Sequence, residues 1–212
     1  FQAANNNFNT GYGVVSFGGD PSGSGSNAPK FMVGGFNGND RYIYSFDGIN
    51  WNSPEQSALD TNLSFPIGIA YVNGQYLLTN EGGILYFSSD GIQWGKIENA
   101  GLASNSSYGY WSSITYGGPA GEEVYVTVNS YPDDTNNVAY SSDGTNWTQA
   151  RVNAIAWNGT VFADNKFVAG GVGNGDVTSV MYSLTGKPTS NKLTVSTDKD
   201  LALLNPGDAV EQ

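Results

Sequence analysis

Three copies of a short motif, Ser-x-Asp-Gly-x-x-Trp, place one carboxylate at a fixed position in residues 45–51, 88–94 and 141–147. Such a carboxylate can bind a metal, contact a substrate or accept hydrogen bonds within its own turn. Calcium sites need several acidic ligands at short spacing, whereas each copy supplies one. We therefore predict structural turns, in which aspartate accepts N–H groups, glycine adopts a positive φ and tryptophan covers a sheet edge. The residues assigned these roles are Asp47, Gly48, Trp51, Asp90, Gly91, Trp94, Asp143, Gly144 and Trp147.

Carboxylates outside the motif are the candidates for hydrolytic chemistry, because cleavage of a glycosidic bond needs two carboxyl groups facing each other across it. They lie mostly in predicted loops, where acidic residues are common, and we interpret them as solvated charges. These residues are Glu81, Glu98, Glu122, Glu123, Asp133, Asp134 and Asp176. The chain contains no histidine and no cysteine, which removes the commonest general base and all thiol chemistry. The sequence predicts a protein that is not an enzyme and has no metal site or cofactor.

The spacing of the motif indicates a repeated structural unit. Its aspartates are 43 and 53 residues apart, and an eroded fourth copy occupies residues 182–187. In the clearest unit, four short strands alternate with tight turns rich in glycine and asparagine. No segment has convincing helical periodicity. We predict an all-β, β-propeller-like array of about four four-stranded antiparallel blades.

The predicted boundaries follow the repeats. They are 1–11 for a polar linker, 12–187 for the repeat domain with units at about 12–52, 65–98, 110–150 and 153–187, and 188–212 for a linker and the start of a further β module. The chain begins with phenylalanine and shows no signal peptide, so we expect a processed protein or a piece of a larger one.

Composition excludes several classes of partner. The 212 residues carry a net charge of −11, whereas nucleic acid and anionic membrane surfaces require a basic patch. No apolar run approaches the roughly 20 residues that span a bilayer, so membrane insertion is not expected.

The motif resembles the Asp-box, or BNR repeat, of sialidase-like β-propellers, over roughly residues 12–187. The sialidase box usually has one more residue between aspartate and glycine, so a tighter turn is expected here. The resemblance implies a catalytic centre with three arginines, a Tyr–Glu nucleophile pair and an acid/base aspartate. This chain has two arginines, Arg41 and Arg151, so we do not expect that activity to carry over.

One face of the array is predicted to carry the long, variable loops and any ligand site, because recognition usually resides in such loops on a rigid scaffold. We call it the long-loop face, formed by residues 34–41, 52–64, 95–110, 129–137 and 170–178, opposite the aspartate turns. Aromatic and amide side chains there suit sugar rings. The candidate ligand contacts are Tyr108, Tyr131, Asn105, Asn129 and Asn136. The neighbouring Tyr110 and Trp111 can instead simply begin an inner strand.

The segment 193–210 resembles, over a short stretch, modules of structural (tail) proteins of marine phages. We therefore expect a phage tail or other virion-appendage domain, with a structural or host-surface-binding role at the virion surface. Its partners are then other virion or appendage proteins and cell-surface glycans, within an oligomeric assembly. A secreted bacterial lectin or adhesin is the alternative, and a glycan-cleaving enzyme ranks last.

Overall fold

Short antiparallel strands account for almost all regular structure in this protein. The structure is a computed structural model that describes residues 12–35, 41–54, 65–80, 82–98, 100–102, 109–131, 137–150, 152, 155–172, 178–183 and 194–197. The strands are β1 Tyr12–Gly18, β2 Lys30–Gly35, β3 Tyr42–Ser45, β4 Pro66–Val72, β5 Gln75–Asn80, β6 Leu85–Ser88, β7 Gly95–Ile97, β8 Trp111–Gly117, β9 Val124–Asn129, β10 Val138–Ser141, β11 Thr148–Ala150, β12 Ala156–Ala163, β13 Lys166–Val172, β14 Thr178–Tyr182 and β15 Thr194–Thr197. A 3-10 turn, Gly25–Asn27, is the only helical element within these ranges. The predicted all-β class is confirmed.

The strands form four antiparallel sheets in chain order within the described residues. Sheet 1 is β1-β2-β3, sheet 2 is β4 to β7, sheet 3 is β8 to β11, and sheet 4 is β12 to β15. In sheet 1 a fourth strand is reduced to a single bridge between Tyr44 and Asn52. The outer strand of sheet 4, β15, pairs with β14 and lies beyond residue 187, the predicted end of the repeat domain.

The fourth strands begin later than the sequence pattern indicated. We expected them to open at Ile92 and Asn146, but β7 and β11 start at Gly95 and Thr148. The N–H groups of Ile92, Gln93 and Asn146 are bound to the aspartate of the turn, and that of Trp147 donates to the Ala100 carbonyl, so these groups are unavailable for strand pairing.

The hydrophobic core lies between the sheets. The first strand of each sheet, which we call its inner strand, contacts the inner strand of the next sheet. These contacts are β1 against β4, β4 against β8 and β8 against β12. One buried cluster, which includes Met32 and Ile69, lies between sheets 1 and 2. A second cluster around Trp111 joins sheets 2 and 3, and a third around Trp157 joins sheets 3 and 4. Stacking thus buries the faces that a single sheet leaves exposed.

A pair of aromatic rings recurs at the same register position in every sheet. The pairs are Phe17–Phe31, Tyr71–Tyr76, Tyr116–Tyr125 and Phe162–Phe167, with centroid distances of 4.6, 4.7, 4.7 and 4.8 Å. In sheets 2 and 4 the first ring of the pair also contacts the preceding sheet. Tyr71 lies against Gly18 and Phe162 against Gly117 so closely that a β-carbon on either glycine would be 2.2 Å from the ring residue. Glycine is therefore needed at both positions for this close packing.

Candidate functional site

The aspartate turns are closed by hydrogen bonds from their own residues. Asp143 Oδ1 accepts the backbone N–H groups of Thr145 and Asn146, each at 2.8 Å. The Ser141 hydroxyl donates to the same oxygen at 2.9 Å and accepts the N–H of Gly144 at 2.9 Å. The other two turns repeat this pattern at 2.7–3.0 Å, with donors Ile49, Asn50 and Ser45 for Asp47, and Ile92, Gln93 and Ser88 for Asp90. Each carboxylate therefore stabilises its own turn.

The glycines of the turns occupy the left-handed region of backbone space. The φ angles of Gly48, Gly91 and Gly144 are 75°, 70° and 75°. A β-carbon on Gly91 would approach Met32 Sδ to 2.9 Å and the Tyr76 ring to 3.1 Å. Glycine is thus favoured here by backbone conformation and by packing against Met32 of the preceding sheet and Tyr76 of its own sheet.

The motif tryptophans fill the space beside the turns, and their indole N–H groups differ in their partners. Trp147 is 7% exposed and donates to the carbonyl of Gly144 at 3.0 Å. Trp94 donates to the hydroxyl of Tyr42 on sheet 1 at 2.8 Å and so links two sheets. The indole nitrogen of Trp51 is buried and has no partner among the described residues.

The pKa shifts of the motif carboxyl groups are all downward. In Asp47 and Asp143 the backbone N–H group three residues later is the main cause, and it holds the carboxyl pKa well below its usual range. Burial raises the pKa of Asp90, but the N–H groups of Gln93 and Ile92, the Ser88 hydroxyl and the charge of Lys30 together outweigh it and leave the pKa below its usual value. A general acid at neutral pH needs a shift in the opposite direction.

Removing a motif carboxylate is expected to destabilise the fold. Asp90→Ala leaves two N–H groups of a partly buried turn without an acceptor, and we expect a loss of about 1–3 kcal/mol in the free energy of unfolding. Asp90→Asn is the matched control, because an amide oxygen at the same position still accepts both bonds, and its loss should be smaller. Chemical denaturation measures both values. Equal stability of the wild type and Asp90→Ala would contradict this role.

Acidification is expected to weaken the same turns. Because the folded-state pKa of Asp47, Asp90 and Asp143 is depressed, their contribution to stability is complete above the unfolded pKa of about 3.9. It is lost as pH falls below that value toward the folded pKa. Thermal melting between pH 7 and 2.5 should therefore show a decline that begins near pH 4. The decline should be shallower in a triple Asp→Asn variant, and an identical decline would contradict the assignment.

On the long-loop face, two tyrosines of sheet 3 lie nearly parallel. Tyr110 immediately precedes β8, and Tyr131 follows β9 by two residues. Their ring centroids are 6.2 Å apart and the planes are inclined by 13°. The N–H and hydroxyl groups of Ser130 both donate to the Tyr110 carbonyl, at 2.8 and 3.3 Å. These bonds join the ends of two strands and hold the half-buried rings side by side.

Two buried amides support the tyrosine pair. Asn129 Oδ1 accepts the N–H of Tyr131 at 2.9 Å. Asn137 Nδ2 donates to the carbonyls of Tyr131 and Ile155, each at 3.0 Å, which connects the loop to the segment before sheet 4. Within the described part of the chain, Asn129 Nδ2 and Asn137 Oδ1 have no hydrogen-bond partner. They are a donor and an acceptor of the kind that one ordered water molecule satisfies.

This geometry changes the roles expected from the sequence. Asn129 was a candidate surface contact, but it is fully buried because it begins the turn after β9. Asn137 was not singled out, although it lies opposite Asn129 across the hairpin, and pairing Val128 with Val138 would have indicated it. Trp111 is the first residue of β8 and is fully buried, with its indole N–H donating to the Leu102 carbonyl at 2.9 Å.

Three of the candidate carboxylates for hydrolysis lie in the described residues, and they are found at two different ends of the strands. Glu98 follows β7 toward the long-loop face and pairs with Lys96 at 2.9 Å. Glu122 and Glu123 lie in the β8–β9 turn at the opposite ends of the strands, where Glu123 accepts the N–H of Gly121 at 2.9 Å. No group of three histidine, cysteine, aspartate or glutamate side chains that could hold a metal ion occurs in the described residues.

Arg41 has a packing role, with its guanidinium 4.8 Å from the centroid of the Phe65 ring. A cleft of about 200 Å³ opens on the long-loop face and is lined by residues 82–84, 96–98 and 100–102. Several predicted residues lie outside the described ranges, namely Tyr108, Asn105, Asn136, Glu81, Asp133, Asp134, Asp176 and Arg151.

Comparison with solved structures identifies the fold. Over 88% of its length the chain aligns with 30% of the Niastella koreensis GH74 enzyme, at 15% identity and a TM-score of 0.60. Over 89% of its length it aligns with 59% of YCF48 from Cyanidioschyzon merolae, at 16% identity and a TM-score of 0.51. A YCF48 bound to a D1 peptide aligns over 88% of this chain and 54% of that one, at 17% identity and a TM-score of 0.49. The chain has a propeller-type fold.

These similarities establish architecture alone. No family model and no curated protein matches the sequence. The chain spans 54% and 59% of the two YCF48 chains, which is slightly more than half of each. The predicted β-propeller-like array is confirmed as a fold class, whereas the number of blades stays a prediction. No helix in the described ranges is long and apolar enough to cross a membrane.

Proposed function

We propose that this chain is a non-enzymatic domain of a virion appendage, such as a phage tail, that contacts neutral cell-surface glycans through the long-loop face of sheet 3. The observation that carries the proposal is the Tyr110–Tyr131 pair, held side by side by Ser130 and the buried amides of Asn129 and Asn137. Aromatic side chains that are already fixed lose little conformational entropy when a ligand binds, which favours them as contact residues.

The chemistry of this surface suits an uncharged sugar. Tyrosine rings offer apolar faces to the C–H groups of a sugar and hydroxyl groups to its oxygens. The net charge of −11 opposes anionic ligands such as sialosides, and the two arginines of the chain cannot form the three-arginine clamp of a sialidase. The motif aspartates accept N–H groups of their own turns, and we assign them no part in catalysis.

The virion context rests on sequence features. The segment 193–210 resembles modules of marine phage tail proteins, and the acidic texture rich in glycine, asparagine and serine is typical of proteins exposed outside cells. In such an appendage the aspartate-turn face is free to pack against other virion proteins while the long-loop face points outward.

Binding to neutral glycans should depend on Tyr131. On a glycan array or by calorimetry, we expect Tyr131→Ala to weaken binding about tenfold or more, since a central aromatic contact is worth about 1.4 kcal/mol or more. Phe87→Ala is the matched control, because Phe87 is an exposed aromatic residue on β6 of sheet 2, and its affinity should equal that of the wild type.

Three results would contradict the proposal. Equal affinity of Tyr131→Ala and wild type would remove this site. Absence of glycan and cell binding by the wild type would favour a purely architectural role. Release of shorter sugars from a bound glycan would favour a glycan-cleaving enzyme.

A further inference from the structure

The row of four sheets has two ends, and both expose apolar side chains. At the sheet 1 end, Val15 is 70% and Phe17 58% exposed on β1. At the sheet 4 end, Val161 is 54% and Val172 61% exposed. Successive first strands pack against each other, as β1 does with β4, but among the described strands β12 does not pack against β1 in this way. The two ends therefore do not cover each other within one copy.

The exposed side chains of sheet 1 point away from sheet 2. The residues between them on β1 face sheet 2. Ser16 is one of these, and its hydroxyl accepts the N–H of Tyr71 at 3.2 Å. By strand register Val15 corresponds to Ile69 and Ile114, which pack against their preceding sheets and are 8% and 7% exposed. We call this surface of sheet 1 the leading face, and it lacks a preceding sheet.

Sheet 4 presents the complementary surface, which we call the trailing face. Val161 corresponds in register to Ala70, which packs against the following sheet and is 9% exposed. Ala163 corresponds to Gly18 and Gly117, the positions on which the aromatic ring of the next sheet lies. Its small side chain suits a ring such as that of Phe17.

A lysine strengthens this correspondence. Lys30, at the start of β2, is fully buried and donates from Nζ to the Asp90 carbonyl in the turn of sheet 2 at 2.6 Å and to the Ser26 carbonyl at 2.8 Å. Lys166 holds the same register position at the start of β13. Its side chain is 46% exposed, and its ammonium group contacts two oxygen atoms of Asp164, at 3.4 and 3.5 Å. It is therefore available to a turn of a following sheet.

We propose that the trailing face of sheet 4 binds the leading face of sheet 1 in a second copy of this chain, so that two copies pair head to tail in a ring of eight sheets. The chain carries both halves of the interface that its own sheets already repeat three times. Two such contacts related by a twofold axis close the ring, and eight is within the range of propeller sizes. In this pair Lys166 donates to the Asp47 carbonyl of the second copy, as Lys30 does to that of Asp90.

The mass in solution tests the pairing. Light scattering of the 212-residue chain should give about twice 22.4 kDa. Phe17→Glu and Val161→Glu should each raise the dimer dissociation constant about 30-fold or more, because each inserts an unpaired charge into the buried interface. Phe87→Glu adds the same charge on sheet 2, away from both end faces, and should leave the mass unchanged. Circular dichroism confirms that each variant is folded.

A designed cross-link identifies the contacting faces. The chain has no cysteine, so a Phe17→Cys/Ala163→Cys variant carries the only two thiols. Oxidation should join two copies covalently in that variant, whereas Phe87→Cys/Ala163→Cys should stay unlinked. A wild-type monomer at all concentrations would overturn the proposal, as would failure of the first pair to cross-link. A mass that rises beyond two copies would overturn the closed ring, because the contact would then repeat without closure.

Discussion

Trp111→Ala is expected to lower the free energy of unfolding by about 3–5 kcal/mol, the range for removing a large buried aromatic side chain. Trp111 is fully buried in the cluster between sheets 2 and 3. Its indole N–H binds the Leu102 carbonyl, and its own carbonyl accepts the hydroxyl of Thr79 from the neighbouring sheet. Truncation therefore opens a cavity and leaves the Leu102 carbonyl without its indole donor.

Two further variants separate the contribution of the buried ring from that of the indole hydrogen bond. Trp111→Phe keeps an aromatic ring but lacks the N–H group, so its loss should be smaller than that of alanine. Phe87→Ala removes a ring that is 44% exposed and should cost much less than either. Urea denaturation of the four proteins measures the order. A Trp111→Ala variant as stable as Phe87→Ala would show that the cluster does not hold sheets 2 and 3 together.

Gly91→Ala is expected to cost about 2–4 kcal/mol, as the sum of a left-handed backbone penalty of about 1 kcal/mol and overpacking of about 1–3 kcal/mol. The new methyl group would meet Met32 and Tyr76, both fully buried, at 2.9 and 3.1 Å. Gly74 has nearly the same φ, 77°, but a β-carbon on Gly74 would have no neighbour within 4 Å among the described residues. Gly74→Ala should therefore lose only the backbone part.

The difference in denaturation midpoint between these two alanine variants measures how closely the turn packs against Met32 of the preceding sheet and Tyr76 of its own sheet. A larger loss in Gly91→Ala than in Gly74→Ala is the expected result. Equal losses would mean that the turn does not pack closely against Met32 and Tyr76.

The fold class was accessible from sequence because the repeated motif encodes contacts between near neighbours. Every side-chain partner of Asp143 lies within three residues of it, so a short segment contains the whole turn. The fourth strands were placed too early for the same reason. The turn uses N–H groups up to Asn146, and sequence periodicity does not distinguish these residues from strand residues.

Long-range partners were not predictable in this way. Lys30 precedes a phenylalanine in a strand pattern and gives no sign of burial, since its acceptor at Asp90 is 60 residues away. Burial lowers the pKa of Lys30, which only the stacking of two sheets explains. On the long-loop face, Asn129 is an asparagine in an asparagine-rich segment, and its support of Tyr131 emerges only when the hairpin is assembled.

The local closure of the aspartate turns has a consequence for the order of folding. A segment whose bonds all join residues within three positions needs almost no loop closure, so it forms early in an otherwise unfolded chain. Hairpins form within microseconds, whereas the contact between Lys30 and Asp90 must wait until two finished meanders meet. During synthesis each meander can therefore assemble as it leaves the ribosome and then dock on the one before it. Hydrogen exchange during refolding should accordingly protect the turn amides of Ile92 and Thr145 before those of the inner strands.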